Sequence, residues 1–193
     1  MQKIIASDAD IVVTSDYAAD MTLLHKQAKS FGVKQPFVDL YMSNPVALRE
    51  IGDAAIGSYT SEVYIVGMDT PANKAFVERW RQSKNPPYQY PDYAVGKAYN
   101  VIMYLASGLK KAGSEDHDAI IKAMEGLEYD GLIGKQVVRA CDHQVQTPIA
   151  VTEVVAGPGQ FYKFAAPGKV SILPMEKVST PPDQTGNPRC AAK

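Results

Sequence analysis

The side chains with the chemistry to do something here fall in three places. Cys141-Asp142-His143 is the first, because on a strand residues 141 and 143 share a face and a thiol beside an imidazole can ionise. The competing reading is a strand end running into a polar turn, since a catalytic cysteine usually takes its histidine from a distant segment. The second place is Thr14-Ser15-Asp16-Tyr17: hydroxyls, a carboxylate and a phenol directly after an apolar run and before a helix pattern. The third is Leu40-Tyr41-Met42-Ser43-Asn44, which has the same setting. In an open α/β sheet, ligands gather outside the carboxyl ends of the strands, and a small-molecule cleft needs aromatic walls with a few polar anchors. The alternative is that Tyr17 and Tyr41 pack on neighbouring loops and Asp16 serves a turn.

Other chemistries lack their residues. The sequence has no G-x-S-x-G elbow, no G-x-x-x-x-G-K-[S/T] phosphate loop and no G-x-G-x-x-G after a strand. His25, His117 and His143 make no metal spacing, so no metal or cofactor is expected; His25 is read as solvated or packed mid-helix and His117 as exposed in a polar first turn. The formal net charge of −1 with interspersed signs excludes the basic footprint of a nucleic-acid binder. The longest apolar stretch, Val101 to Ala106, is far short of the roughly 20 residues a membrane span requires. Met1 to Ser7 is too short for the apolar core of a signal peptide. The two cysteines, Cys141 and Cys190, read either as unrelated thiols or, in an exported protein, as a staple of the C-terminal tail.

The elements that must position these groups alternate strand and helix. A helix-like stub at Gln2 to Ala6 precedes a strand at Ala9 to Thr14, then a helix with Met21, Leu24, Ala28 and Phe31 on one face and Gly32 as its stop. Gln35 to Leu40 reads as a strand, Asn44-Pro45 as a cap and first helical residue, and Ile56 to Ile65 as a strand or hinge segment. Thr70-Pro71 starts a helix through Phe76, Val77 and Trp80, and Ser83 to Tyr90 is a connector. The longest helix is expected from Pro91 to Lys111 with Tyr93, Ala98, Ile102, Leu105 and Leu109 stacked, and Ser114 is expected to cap the next. Gly134 to Ala140 and Thr147 to Val155 read as paired strands, Gln160 to Phe164 as a third, and Pro174 onward as an extended tail. The fold class is α/β with a mainly parallel sheet and a β-rich end. The chain opens almost directly on an interior strand, so it reads as cut, with uncovered edges and faces that make it unstable or aggregation-prone.

From Tyr90 to Val151 the sequence resembles the type I periplasmic solute-binding proteins of branched-chain amino acid ABC importers. The resemblance is carried by Pro91-Asp92-Tyr93-Ala94, Leu109 to Ser114, Ala119 to Met124, Asp130-Gly131 with Gly134, and Arg139 to Gln144 followed by Pro148. Upstream it is carried by Val12 to Tyr17, Gln27-Ala28, Gly32 and Gly52 to Gly57. It implies two lobes joined by hinge strands that close on ligand, with only the C-terminal parts of both present. By it, residues 1–56 are the later distal lobe, 57–130 hinge and helices of the first lobe, 131–173 hinge return and distal strands, and 174–193 a tail. It implies a non-enzymatic, periplasmic receptor without cofactor, a permease partner and a ligand that is an amino acid or an aromatic or short-chain carboxylate. Thr14, Ser15, Asp16, Tyr17 and Tyr41 are carried over as the ligand-binding residues, and Arg139, Asp142 and His143 as structural. Tyr41 stands where amino-acid binders often place an acid for the ligand ammonium; Asp16 supplies that carboxylate, or the ligand lacks an amine. The same fold also serves sensory and regulatory domains, which is the alternative role, and a cysteine-dependent enzyme is the third.

Overall fold

A computed structural model describes residues 1–84 and 89–191. Two bodies, each a sheet packed with helices, make up the fold. The larger is a six-stranded sheet ordered β1-β2-β3-β7-β8, with β9 also on β7. Strands β1 (Val12–Thr14), β2 (Phe37–Asp39) and β3 (Tyr59–Glu62) are parallel. Strands β7 (Ile149–Val155), β8 (Ala166–Pro167) and β9 (Ser171–Leu173) add antiparallel pairs, so the sheet is mixed. After the stub α1 (Gln2–Ile5), helices α2 (Ala18–Ser30) and α3 (Pro45–Ile51) supply the crossovers. Met21, Met42, Leu48, Ile51 and Val154 form the core beneath this sheet.

The second body holds α4 (Pro71–Gln82), α5 (Tyr93–Ala112), α6 (His117–Met124) and the small sheet β4 (Glu128–Gly131), β5 (Gly134–Val138) and β6 (Val145–Gln146). Its core gathers Tyr64, Ile65, Met68, Phe76, Leu132 and Ile133. Local signals set the helix ends as expected at two points: Asn44 Oδ1 accepts from Val46 and Ala47 N–H, and Thr70 Oγ1 from Asn73 N–H. Among the described residues no helix is long and apolar enough to cross a membrane.

Several expectations are corrected. Residues 134–140 and 147–155 do not pair with each other: β5 pairs β4 and β6, whereas β7 pairs β3. Residues 160–164 form no strand; Tyr162 stacks on Phe164 in a turn instead. Asp92, not Pro91, bounds α5, its carboxylate accepting from Val95 N–H, and Asp116 rather than Ser114 caps α6. The buried stripe of α5 is Tyr93, Gly96, Asn100, Tyr104 and Gly108, while Ile102 and Leu109 are exposed. Phe31, just past the end of α2, is exposed, whereas His25 is packed against Phe37, one of the two readings left open for it. The tail contains a one-turn helix, α7 (Met175–Val178). The Pro86-Pro87 part of the expected connector lies outside the described residues.

Candidate functional site

Because β1, β2 and β3 run parallel, their carboxyl ends share one edge, finishing at Thr14, Asp39 and Glu62. Each is followed by a loop that must satisfy its own backbone before the next helix. Thr14 Oγ1 donates to Asp16 Oδ2 at 2.6 Å and accepts from Asp16 N–H at 3.2 Å, which turns the chain so that Tyr17 precedes α2. Ala18 then takes φ 53°, a left-handed conformation that costs a residue with a Cβ roughly 1–2 kcal/mol. After β2, Asp39 Oδ1 accepts from Tyr41 N–H at 2.9 Å and fixes the second loop. Asp39 is fully buried, with His25 Nε2 3.6 Å from its other oxygen.

These two turns bring the predicted phenols together. The Tyr17 and Tyr41 rings meet edge to face at 5.3 Å, close to the preferred geometry of an aromatic pair. Ser15 is exposed. A third ring, not among the sequence candidates, completes the group: Tyr93 lies 6.2 Å from Tyr41, and its hydroxyl is 3.4 Å from that of Tyr17. Tyr93 is the first residue of α5, so like Tyr17 it stands at a helix start. That position, after a Pro-Asp pair, was the available signal; counting it in a helical stripe hid it. Burial first, then the contact with Tyr17, pushes the Tyr93 phenol well above its ordinary range, so it stays a neutral hydroxyl.

An ion pair touches the triad at Tyr93. Lys97, a turn after Tyr93, sets Nζ 4.5 Å from the Tyr93 ring centroid and 3.1 Å from Glu62 Oε2. The Glu62 side chain is only 6% exposed, and burial outweighs Lys97 in raising its carboxyl above the ordinary value. Beside Tyr17 and Tyr41 opens a cavity of about 350 Å³, walled by Met21, Thr22, Val46 and Glu50. A larger one, about 680 Å³, lies between Arg139, Asp142 and the tail and contains none of the three tyrosines.

Most of the remaining candidates are engaged by their neighbours. Cys141 and Cys190 form a disulfide with Cα atoms 5.1 Å apart, so Cys141 has no thiol to pair with His143. Asp142 comes close to both sulfurs, but these are committed to each other and do not make a metal centre. Arg139 grips Asp142 with two hydrogen bonds of 2.9 and 2.6 Å and donates a third to the Thr180 carbonyl. Those bonds hold the Asp142 carboxyl down at about 2. His143 meets Glu125 at 3.2 Å, and His117 is exposed.

Known proteins resemble this chain in sequence and in fold. A model of the periplasmic binding protein family matches residues 1–158. Leu/Ile/Val-binding protein homolog 4 of Brucella melitensis is 28% identical over 156 residues, covering 79% of this chain and 37% of that protein. The leucine-, isoleucine-, valine-, threonine- and alanine-binding protein of Brucella ovis, solved in a closed conformation, superposes with a TM-score of 0.79 at 25% identity. That match covers 93% of this chain and 47% of the other. A solute binding protein of an ABC transporter from Rhodopseudomonas palustris BisB5, solved with 3,4-dihydroxybenzoic acid, shares the fold with a TM-score of 0.70 at 20% identity, over 90% of this chain and 47% of its own. The chain thus spans 37% of the length of the curated relative and just under half of these solved chains.

Proposed function

The chain belongs to the periplasmic binding protein family, whose members are non-catalytic solute binders, and on that premise we propose that it is the substrate-binding component of an ABC importer. It captures an amino acid or a related small carboxylate in a cleft between lobes and presents it to a membrane permease. The observation that carries this reading is the convergence of Tyr17, Tyr41 and Tyr93 at the shared carboxyl edge of three parallel strands. Aromatic walls with few, placed polar groups are what a small-molecule site needs, and this edge is where α/β sheets hold ligands. Thr14, Ser15 and Asp16 belong to the same wall, Thr14 and Asp16 by fixing the loop that carries Tyr17.

The relatives support the ligand class: one is by name a binder of leucine, isoleucine, valine, threonine and alanine, and another was solved with an aromatic acid. In this reading residues 1–56 and the later part of 131–173 form one lobe with its hinge strands, and 57–130 the helices of the other. Closure of the two on ligand shifts an open–closed equilibrium that the permease senses. The disulfide supports an oxidising compartment such as the periplasm.

The test is a titration of the isotope-labelled chain with aliphatic amino acids, aromatic acids and short-chain acids, followed by amide chemical shifts. Saturable shifts centred on residues 14–18, 41 and 93, weakened in Tyr17→Ala and Asp16→Ala, are expected. Binding that both substitutions leave unchanged rejects the site.

A further inference from the structure

We infer that a second ligand site, separate from the tyrosine wall, lies between α3 and the loop after β7, and that Arg49 and Lys163 hold there a compact organic molecule bearing two carboxylates. The site stands independently of binding at Tyr17 and Tyr41. It is a cavity of about 490 Å³ lined by Arg49, Lys163, Gln89, Tyr162 and Phe164, with Pro45 and Val46 as its aliphatic wall. Of these residues only Val46 also lines the cavity beside Tyr17 and Tyr41.

The loop that carries Lys163 is held in shape by its own backbone. A Cβ added to Gly157 would meet the backbone carbon and oxygen of Phe164 at 2.7 Å and the Lys163 carbonyl oxygen at 2.8 Å, so this close approach requires glycine. Gly159 N–H donates to the Tyr162 carbonyl at 2.8 Å, and Ala165 anchors the far end in the core beneath the large sheet. Tyr162 and Phe164 stack at 5.1 Å, and Tyr90 meets Tyr162 edge on at 5.6 Å. Arg49, in the second turn of α3, sets its guanidinium 5.3 Å from the Phe164 ring centroid. A ring contact of this kind orients the cation and leaves its N–H groups for a ligand.

The charge balance selects an anion with two acid groups. Two cations line the cavity and no acid does. Among the described residues neither Arg49 nor Lys163 has an ion pair or a side-chain hydrogen bond, so both are open to a ligand. Two acids flank the site without lining it. Glu50, next to Arg49 and about 100° around the helix, lines the other cavity. Asp92 bears on Tyr162 from the interior, where it accepts from Val95 N–H. Burial first, then Asp92, holds the Tyr162 phenol above its ordinary range, so it stays protonated and able to donate. A guanidinium fits one carboxylate with two parallel hydrogen bonds, and the Lys163 ammonium takes the other as a point charge. A monoacid satisfies only one of the two cations.

The experiment titrates isophthalate, benzoate and isophthalamide, which share a ring and carry two, one and no negative charges, into the isotope-labelled chain at about 0.15 M salt. Isophthalate is expected to give saturable amide shifts centred on residues 46–49 and 161–164. It should bind at least about tenfold more tightly than benzoate, the lower end of what a charged hydrogen bond contributes, with isophthalamide weaker still. R49Q and K163Q, both at exposed positions, should each lower isophthalate affinity about tenfold, toward that of benzoate, while Tyr17→Ala leaves it unchanged. Benzoate or isophthalamide binding as tightly, unchanged isophthalate affinity in both variants, or shifts that never saturate overturn the site. Isophthalate shifts centred on Tyr17 and Tyr41 and lost in Tyr17→Ala would also overturn it, while supporting the tyrosine wall. Isophthalate binding lost in R49Q, in a chain that shows no saturable shift at Tyr17 with any ligand, would keep this site and reject the transport one.

Discussion

Gly96 and Gly108 sit in the same helix, and the same substitution in each should move stability in opposite directions. Alanine is about 1 kcal/mol better than glycine inside a helix, and neither position has a left-handed φ, so both changes start with that gain. A Cβ on Gly96 overlaps three atoms of the Tyr64 ring, Cγ, Cδ1 and Cε1. That ring is fully buried and edged by Phe76 at 6.3 Å, so it cannot swing aside without moving the core that joins α5 to the segment after β3. Overpacking of this kind costs typically 1–3 kcal/mol and more where several atoms collide, so Gly96→Ala should destabilise by a net figure of about 2 kcal/mol.

At Gly108 the added methyl meets Met124 Sδ, with Met124 Cγ next at 3.0 Å and Leu127 Cδ2 at 3.7 Å. A half-buried methionine has three rotatable bonds and can step away for a few tenths of a kcal/mol, which leaves a net stabilisation of up to about 1 kcal/mol. Urea unfolding of the two variants at equal m-value reads the difference directly as midpoints on either side of wild type. Gly96→Ala at or above wild-type stability would refute the close approach of α5 to Tyr64. The approach matters for the site, because Tyr93 and Lys97 flank Gly96 and take their position from it.

Other consequences can be checked on the same chain. Tyr64→Phe removes a buried hydroxyl with no partner and should be neutral or stabilising by about 1 kcal/mol; a clear loss in urea unfolding would mean the hydroxyl is bonded. Glu62 has its folded pKa raised by burial, so its contribution is favourable in acid and is lost as pH rises through the folded value. Glu62→Gln should therefore gain stability relative to wild type at pH 7 and lose that advantage by pH 4; an advantage independent of pH would contradict the assignment. Reduction of the disulfide, which closes a loop spanning a sequence separation of 49, should cost about 4 kcal/mol in the chain-entropy account, read as a drop in the urea midpoint with reductant. An unchanged midpoint would show that the tail adds no constraint.

What the sequence made legible was local. Asn44-Pro45 and Thr70-Pro71 announce helix starts because the cap and the proline act within three residues, and the structure uses both. The two loops after β1 and β2 are legible for the same reason: polar and aromatic residues follow directly on an apolar run. Pairing over distance was not readable. Glu62 and Lys97 are 35 residues apart, and nothing in either segment names the other. The turn signalled by Asp130-Gly131 and Gly134 is where β4 meets β5, but Glu128 to Gly131 has no apolar alternation, so β4 is not legible as a strand and β5 is assigned another partner. Residues 160–164 carry aromatic residues in a strand-like run, yet Tyr162 and Phe164 spend their rings on each other and on Tyr90 and Arg49.

Helix α5 shows the deeper reason for such errors, and it yields a prediction of its own. Apolar periodicity picks out Ile102, Leu105 and Leu109, but the helix buries Gly96, Asn100, Tyr104 and Gly108. Small residues admit neighbours: Tyr64 sits against Gly96 and Met124 against Gly108. Asn100 is buried because it is satisfied, donating to Gln136 Oε1 at 2.6 Å and accepting from Leu132 N–H at 3.1 Å. Burial here follows from close approach and hydrogen bonding, and the apolar residues are left outside, Val101 at 61% and Ile102 at 63% exposed. With Ile121 at 49% they leave apolar area toward water, a surface that favours association. Ile102→Lys should accordingly alter unfolding free energy by no more than about 0.5 kcal/mol, as exposed positions do, and raise the concentration at which light scattering sets in. Asn100→Leu should cost about 2 kcal/mol or more, because it strands the Leu132 amide and the Gln136 carbonyl in the interior. If Ile102→Lys proved the more damaging of the two, the helix would be packed on its other face and the placement of Tyr93 and Lys97 against Glu62 would fall with it.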